Sequence, residues 1–136
     1  MNTIQMATFF VFHVAVAFAI IKQVWESAFV DKNIIFGLIS GYISLGLIGF
    51  FIGLSIEMAY PGSFSGLYIN GMGPEVLTER MLYYSYITLL TIGYGDILPV
   101  TLLAQKAAIL IGLMGQFYLV IITAVVLEKY IRHRNK

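Results

Sequence analysis

Three long apolar runs, separated by short polar breaks, organise this chain. They cover about residues 4–21, 34–60 and 99–131. Lys22 closes the first, Asp31-Lys32-Asn33 precedes the second, and Pro61-Gly62 ends it. The third runs into Arg132-His133-Arg134-Asn135-Lys136. Each run approaches or exceeds the roughly 20 apolar residues that a membrane-spanning helix needs. The third, helical throughout, is about 50 Å long at about 1.5 Å per residue. That exceeds a hydrocarbon core of about 30 Å, so this helix should tilt, kink or project beyond the membrane.

The segment between the second and third runs has a different character. Residues 61–73 are rich in Gly, Ser and Asn and read as an exposed loop. Residues 74–90 read as a helix, strongly apolar only in its second half. Pro74 suits a first helical position, and Glu75 and Glu79 favour an N-terminal end. This helix is too short and too polar at its start to span, and is expected to be re-entrant. The backbone that follows, from Thr91, is expected to be non-helical. At membrane depth such backbone is tolerated only where protein buries it or where it lines a wet cavity.

Composition agrees with a membrane protein. Of 136 residues 60% are hydrophobic and 11% charged, against about a quarter charged in soluble domains. With no cysteine, neither a disulfide nor a thiolate metal site is available. The net charge of +1 gives no reason to expect a nucleic-acid partner. The distribution of Lys and Arg is more informative. Lys129, Arg132, Arg134 and Lys136 follow the third run, and Lys22 and Lys32 flank the first loop. Placing both groups in the cytoplasm puts the N-terminus and residues 61–80 outside the cell membrane, plasma or inner. Arg80 and Lys106 count against that arrangement. No signal peptide or lipidation motif stands out.

The candidate chemistry lies in Thr91-Ile92-Gly93-Tyr94-Gly95-Asp96. A potassium ion gives up its water only to a ring of replacement oxygens, which backbone carbonyls can supply. The carbonyls of Thr91, Ile92, Gly93 and Tyr94, with the Thr91 hydroxyl, are expected to form such rings. Gly93 and Gly95 allow the left-handed backbone that aims successive carbonyls one way. Ile92 and Tyr94 should point away and brace the run. One chain makes a quarter of each ring, so three identical partners complete a fourfold homotetramer. The carbonyl end of the preceding helix would favour a cation inside. An ordinary Gly-Asp turn is the plainer reading of the same residues. The flanking half-length helix and long apolar helix favour the filter.

Residues 83–101, from Tyr83-Tyr84-Ser85-Tyr86-Ile87-Thr88-Leu89-Leu90 through the TIGYGD run to Pro99-Val100-Thr101, resemble the pore region of prokaryotic two-helix potassium channels. The likeness continues through Gly112-Leu113-Met114-Gly115-Gln116-Phe117-Tyr118-Leu119 and weakly upstream, covering about residues 34–131. The first helix is additional to the two-helix pattern. The resemblance implies an all-α membrane protein: three transmembrane helices, a re-entrant pore helix and a filter, assembled as a tetramer. It implies one unit of residues 1–33 and a pore unit of 34–136. Within that unit are an outer helix 34–60, loop 61–73, pore helix 74–90, filter 91–96, inner helix 99–131 and basic tail 132–136. It further implies that Asp96 anchors the filter from behind, that Tyr83 and Tyr84 form an aromatic cuff, and that Gly115, or Gly112, is an inner-helix hinge. Thr123, Ala124 and Leu127 fall where the inner helices cross at a gate. Three departures stand out: Ile87 occupies the place of a Glu that pairs with the filter Asp, Leu90 that of a second Thr, and the cuff is Tyr where Trp is common. Tyr83 is expected still to donate a hydrogen bond to Asp96.

Other residues carry two readings. Gly37, Gly41, Gly49 and Gly53 fit close helix packing, and Ser40 and Ser44 should bond their own helix. Gln116 could face a water-filled cavity or make an interhelical hydrogen bond. His13 reads as a packing residue before a pH sensor. Glu57 and Arg80 could pair near the outer surface, and Trp25 and the many tyrosines near span ends fit interfacial anchoring. No nucleophile–base set is evident, so the chain is expected to be a passive conductor of K+ with no cofactor beyond the ions themselves, and not an enzyme. A non-selective cation channel and a non-conducting assembly or sensor subunit are the alternatives. A regulatory domain or subunit could be missing from the chain.

Overall fold

In a computed structural model, residues 3–26, 32–68 and 73–134 are described. The Trp25 side chain and the charges of the basic tail lie outside the described residues. The helices are α1 (Thr3–Glu26), α2 (Lys32–Ala59), α3 (Pro74–Leu89) and α4 (Leu102–Arg134), with two short strands, β1 (Phe64–Ser65) and β2 (Leu98–Pro99). Among the described residues, α2 and α4 are long and apolar enough to cross a membrane, while the apolar part of α1 is 17 residues, Ala7–Gln23. The 16 residues of α3 extend only about 24 Å, too short for a crossing.

The packing follows from small residues on α2. Gly46, Gly49 and Gly53 leave room for the Tyr86 ring, the Ser85 hydroxyl and the Met81 sulfur of α3. Met81, Ser85 and Leu89, four residues apart, form the buried stripe of α3. Ser85 donates to the Gly46 carbonyl at 2.6 Å. Gly41 receives the hydroxyl of Tyr118 from α4. The expectation of close packing therefore holds at Gly41, Gly49 and Gly53 but not at Gly37, whose nearest neighbour is an ordinary contact with Ile20 at 3.9 Å, and Ser40 and Ser44 do bond back to their own helix, to the Phe36 and Ser40 carbonyls.

α1 lies along α2. Phe9 stacks on Phe51 with ring centroids 6.1 Å apart. His13 packs between Phe12 and Phe51, and its Nδ1 lies 2.7 Å from the Phe9 carbonyl. It is a packing residue, as expected.

Two expectations are corrected here. Residues 61–68 are not simply an exposed loop: Ser63, Phe64 and Leu67 are buried. Phe64 packs edge-on against Tyr84 at 5.1 Å, and β1 pairs antiparallel with β2, Phe64 opposite Pro99. The last helix consequently begins at Leu102, not at 99. Pro99 is held in the strand pair, and the Thr101 hydroxyl accepts from the Ala104 N–H at 3.3 Å, capping the new helix.

Candidate functional site

The site begins where α3 ends. Leu90 is its C-cap, and Thr91 enters the left-handed region at φ 59°. The Thr91 N–H bonds to the Thr88 carbonyl at 3.0 Å, and the Ile92 N–H to the Ile87 carbonyl at 2.9 Å. These two bonds make a Schellman cap, a motif that usually places glycine where Thr91 stands. A left-handed conformation costs a residue with a Cβ about 1–2 kcal/mol. Gly93 and Gly95 are also left-handed, at φ 56° and 82°, while Ile92 and Tyr94 between them are not. Alternating handedness turns successive peptide planes the same way, where an ordinary strand would alternate them. Sequence reasoning anticipated this at the two glycines and missed it at Thr91.

The run is fixed at its far end by the residues before α3. A Cβ on Gly66 would collide with the Asp96 carbonyl, so only glycine fits there, and Gly66 is itself left-handed at φ 77°. The Val100 N–H bonds to the Ser63 carbonyl at 2.9 Å. Ile97 is buried next to this clasp. Arg80 and Glu57, a pairing the sequence left open, do not meet. Arg80 Nη2 donates to the Gly66 carbonyl at 2.7 Å. The buried Glu57 carboxylate accepts from the N–H groups of Gly62 at 2.7 Å and Phe64 at 3.1 Å. Backbone groups thus take the place of the opposite charge. Partial burial, then the hydrogen bond to Glu57, hold the Tyr68 hydroxyl above its usual pKa.

Of the supporting residues, Tyr83 donates to Asp96 Oδ1 at 3.3 Å, as expected. Tyr84 is buried against Phe64 and braces the clasp. Ile87 is buried, and its carbonyl closes the Schellman cap. Ile92 and Tyr94 are exposed in the single chain. Behind the run lies a cavity of about 280 Å³ lined by Tyr84, Thr88, Gly93 and Ile97.

α4 crosses the same helix end. A Cβ on Gly115 would strike the Leu89 carbonyl, whereas Gly112 has nothing nearer than the Thr88 carbonyl at 4.0 Å. The Gly115 site is thus a close crossing. Gln116 donates from Nε2 to the Thr91 hydroxyl at 3.4 Å, joining α4 to the first residue of the run. Thr123, Ala124 and Leu127 are exposed further along α4. Thr123 and Leu127 fall on the Gln116 face by helical spacing, and Ala124 beside it.

Three tyrosines inside the helices make bonds that sequence reasoning did not assign. Tyr42 donates to the Leu89 carbonyl at 3.3 Å, Tyr86 to Ile43 at 2.8 Å and Tyr118 to Leu38 at 2.7 Å. Their positions well inside the helices were the signal. A buried phenol needs an acceptor, and membrane interiors offer only protein groups.

A half-length helix that ends on a left-handed run, clasped between two apolar helices, has the build of a pore-forming membrane chain. The chain belongs to the ion channel family: the family model described as "Ion channel" matches residues 38–132. That places it among conduits and not among enzymes. It is similar to two pore potassium channel c of Oryza sativa subsp. japonica, with 38% identity over 64 residues. The match takes in 47% of this chain and 13% of the rice protein, so the chain spans a small part of that relative's length. No solved structure matches it.

Proposed function

We propose that this chain is one subunit of a fourfold, potassium-selective channel whose filter is Thr91–Asp96. The observation that carries the reading is the left-handed backbone at Thr91, Gly93 and Gly95, alternate residues directly after the α3 carbonyl end. Four copies of such a run offer stacked rings of carbonyls from Thr91, Ile92, Gly93 and Tyr94, with the Thr91 hydroxyl below, enough to replace an ion's water. Gly95 and Asp96 complete the mouth, held by Tyr83 and by the strand clasp. The C-terminal end of α3 adds partial negative charge toward the cavity. The name of the rice relative supports potassium as the ion.

In this reading α1, α2 and α4 all cross the membrane, and α3 re-enters from outside. The N-terminus and the filter mouth are extracellular and the basic tail cytoplasmic. Residues 34–136 form the pore unit and 1–33 an added helix. Gln116 borders the inner cavity, Gly115 makes the close α4 crossing with the uncrowded Gly112 three residues before it, and Thr123, Ala124 and Leu127 narrow the pore at its inner end.

The test is flux from purified protein in liposomes, with reversal potentials between potassium and sodium and a mass measurement of the assembly. Reversal far from zero with a mass of four chains is the expected result. Reversal near zero indicates a non-selective pore, and absent flux over several voltages, pH values and lipids indicates a non-conducting assembly.

A further inference from the structure

Four carbonyls close α3, those of Tyr86, Ile87, Thr88 and Leu89, and the helix itself offers them no partner. The N–H groups of the residues that follow take three of them. Leu90 bonds to Tyr86 at 2.9 Å, Thr91 to Thr88 at 3.0 Å and Ile92 to Ile87 at 2.9 Å. The Leu89 carbonyl differs. Its donor comes from another helix, the Tyr42 hydroxyl of α2 at 3.3 Å.

That carbonyl lies where water has no easy access. Leu89 is buried in one apolar cluster with Leu45, Ile48 and Ile111, and the backbone of Gly115 lies against its carbonyl. Tyr42 is also held in position. Its ring packs on that of Tyr118, with centroids 5.6 Å apart. Tyr118 is fixed in turn, by its bond to the Leu38 carbonyl at 2.7 Å and by the space left at Gly41. Leu38, Gly41 and Tyr42 share one face of α2. A side chain whose rotamer is locked by packing and by a second layer of hydrogen bonds keeps its donor in place.

We infer that Tyr42 is a positioning residue of the filter. It touches no ion. Through the Leu89 carbonyl it holds the α3 cap, and with it the left-handed Thr91, in the form that binds potassium. The role rests on the channel reading above. Leu89 stands two residues before Thr91, and a buried carbonyl that loses its donor must regain one or remain unsatisfied at a cost. The next N–H groups along the chain are those of Thr91, Ile92 and Gly93, which make the cap. Drawing any of them away unmakes the conformation of Thr91.

The experiment titrates potassium chloride calorimetrically into the purified assembly in sodium-free detergent buffer. The thermal midpoint without potassium is measured beside it. The midpoint reads packing, and the potassium Kd reads the filter. Tyr42→Phe keeps the ring and should raise the Kd about fivefold, the worth of one hydrogen bond. Tyr86→Phe is the matched comparison. It loses a bond between the same two helices, to the Ile43 carbonyl of α2, and should lower the midpoint with the Kd unmoved. An unmoved Kd in Tyr42→Phe overturns the proposal. So does an equal rise in Tyr86→Phe, because any tie between α2 and α3 would then serve. Should Tyr42→Phe fail to assemble, 3-fluorotyrosine placed at 42 is a stronger donor on nearly the same ring. It should bring the Kd below the parent's, and no change overturns the proposal equally. A parent that binds no potassium and gives no flux in liposomes sinks the channel reading, and this role with it. A parent that binds potassium as tightly as Tyr42→Phe does sinks this role alone.

Discussion

The backbone of Gly115 lies directly against the carbonyl of Leu89, the last residue of α3. Any side chain at 115 must displace the helix end from which the proposed filter starts. Gly115→Ala is therefore expected to lower thermal stability by about 1–3 kcal/mol, the usual cost of overpacking. Gly112→Ala, with open space, should change it by less than about 0.5 kcal/mol. Thermal unfolding of the two variants in detergent checks this. A Gly115→Ala protein as stable as its parent but unable to open would mean that the glycine serves as a hinge and not as a crossing.

Glu57 is buried and satisfies two backbone N–H groups at the base of the 60–66 turn. Glu57→Ala leaves both without their acceptor, at about 1–3 kcal/mol for the buried Phe64 N–H and less for that of the exposed Gly62. Glu57→Gln keeps one acceptor oxygen and should fall between. Denaturant or thermal midpoints would order the three proteins. If alanine and glutamine are equally harmful, charge and not hydrogen bonding is what matters.

Tyr83 and Asp96 meet by a single hydrogen bond on an exposed face. Tyr83→Phe should leave folding and assembly intact and speed the decay of potassium flux after activation. Unaltered decay kinetics would show that the bond has no part in holding the filter.

Gln116 reaches the Thr91 hydroxyl from α4. Gln116→Leu should preserve the fold, because both side chains are exposed in the chain, yet alter single-channel conductance and internal barium block. Thr91→Ser, which keeps the hydroxyl, should retain both. Equal conductance in Gln116→Leu and the parent would confine Gln116 to a packing role.

The sequence made the half-length helix, the long apolar helices and the glycine positions of the run readable, because each depends on local composition. The Phe64–Pro99 pairing was not readable. It joins residues 35 positions apart, and no local periodicity announces it. That pairing moved the start of α4 and buried a segment whose Gly and Ser content looks like a free loop. The supposed Glu57–Arg80 pair failed for a related reason: opposite charges assigned to the same membrane surface say nothing of the backbone groups that can satisfy each one. Thr91 was missed because a left-handed threonine is set by the helix cap, not by its own preference.

The strand clasp has a mechanical consequence. The residues between Leu90 and Leu98 are tied at one end to a helix cap and at the other to a sheet pair. A tether pinned at both ends cannot lengthen or slide when an ion leaves. Its freedom is torsional, and rotation of a peptide plane is least hindered at Gly93 and Gly95, where nothing stands within 4 Å of a Cβ position. Emptying the proposed filter would thus turn carbonyls away from the axis in place, and refilling it would turn them back.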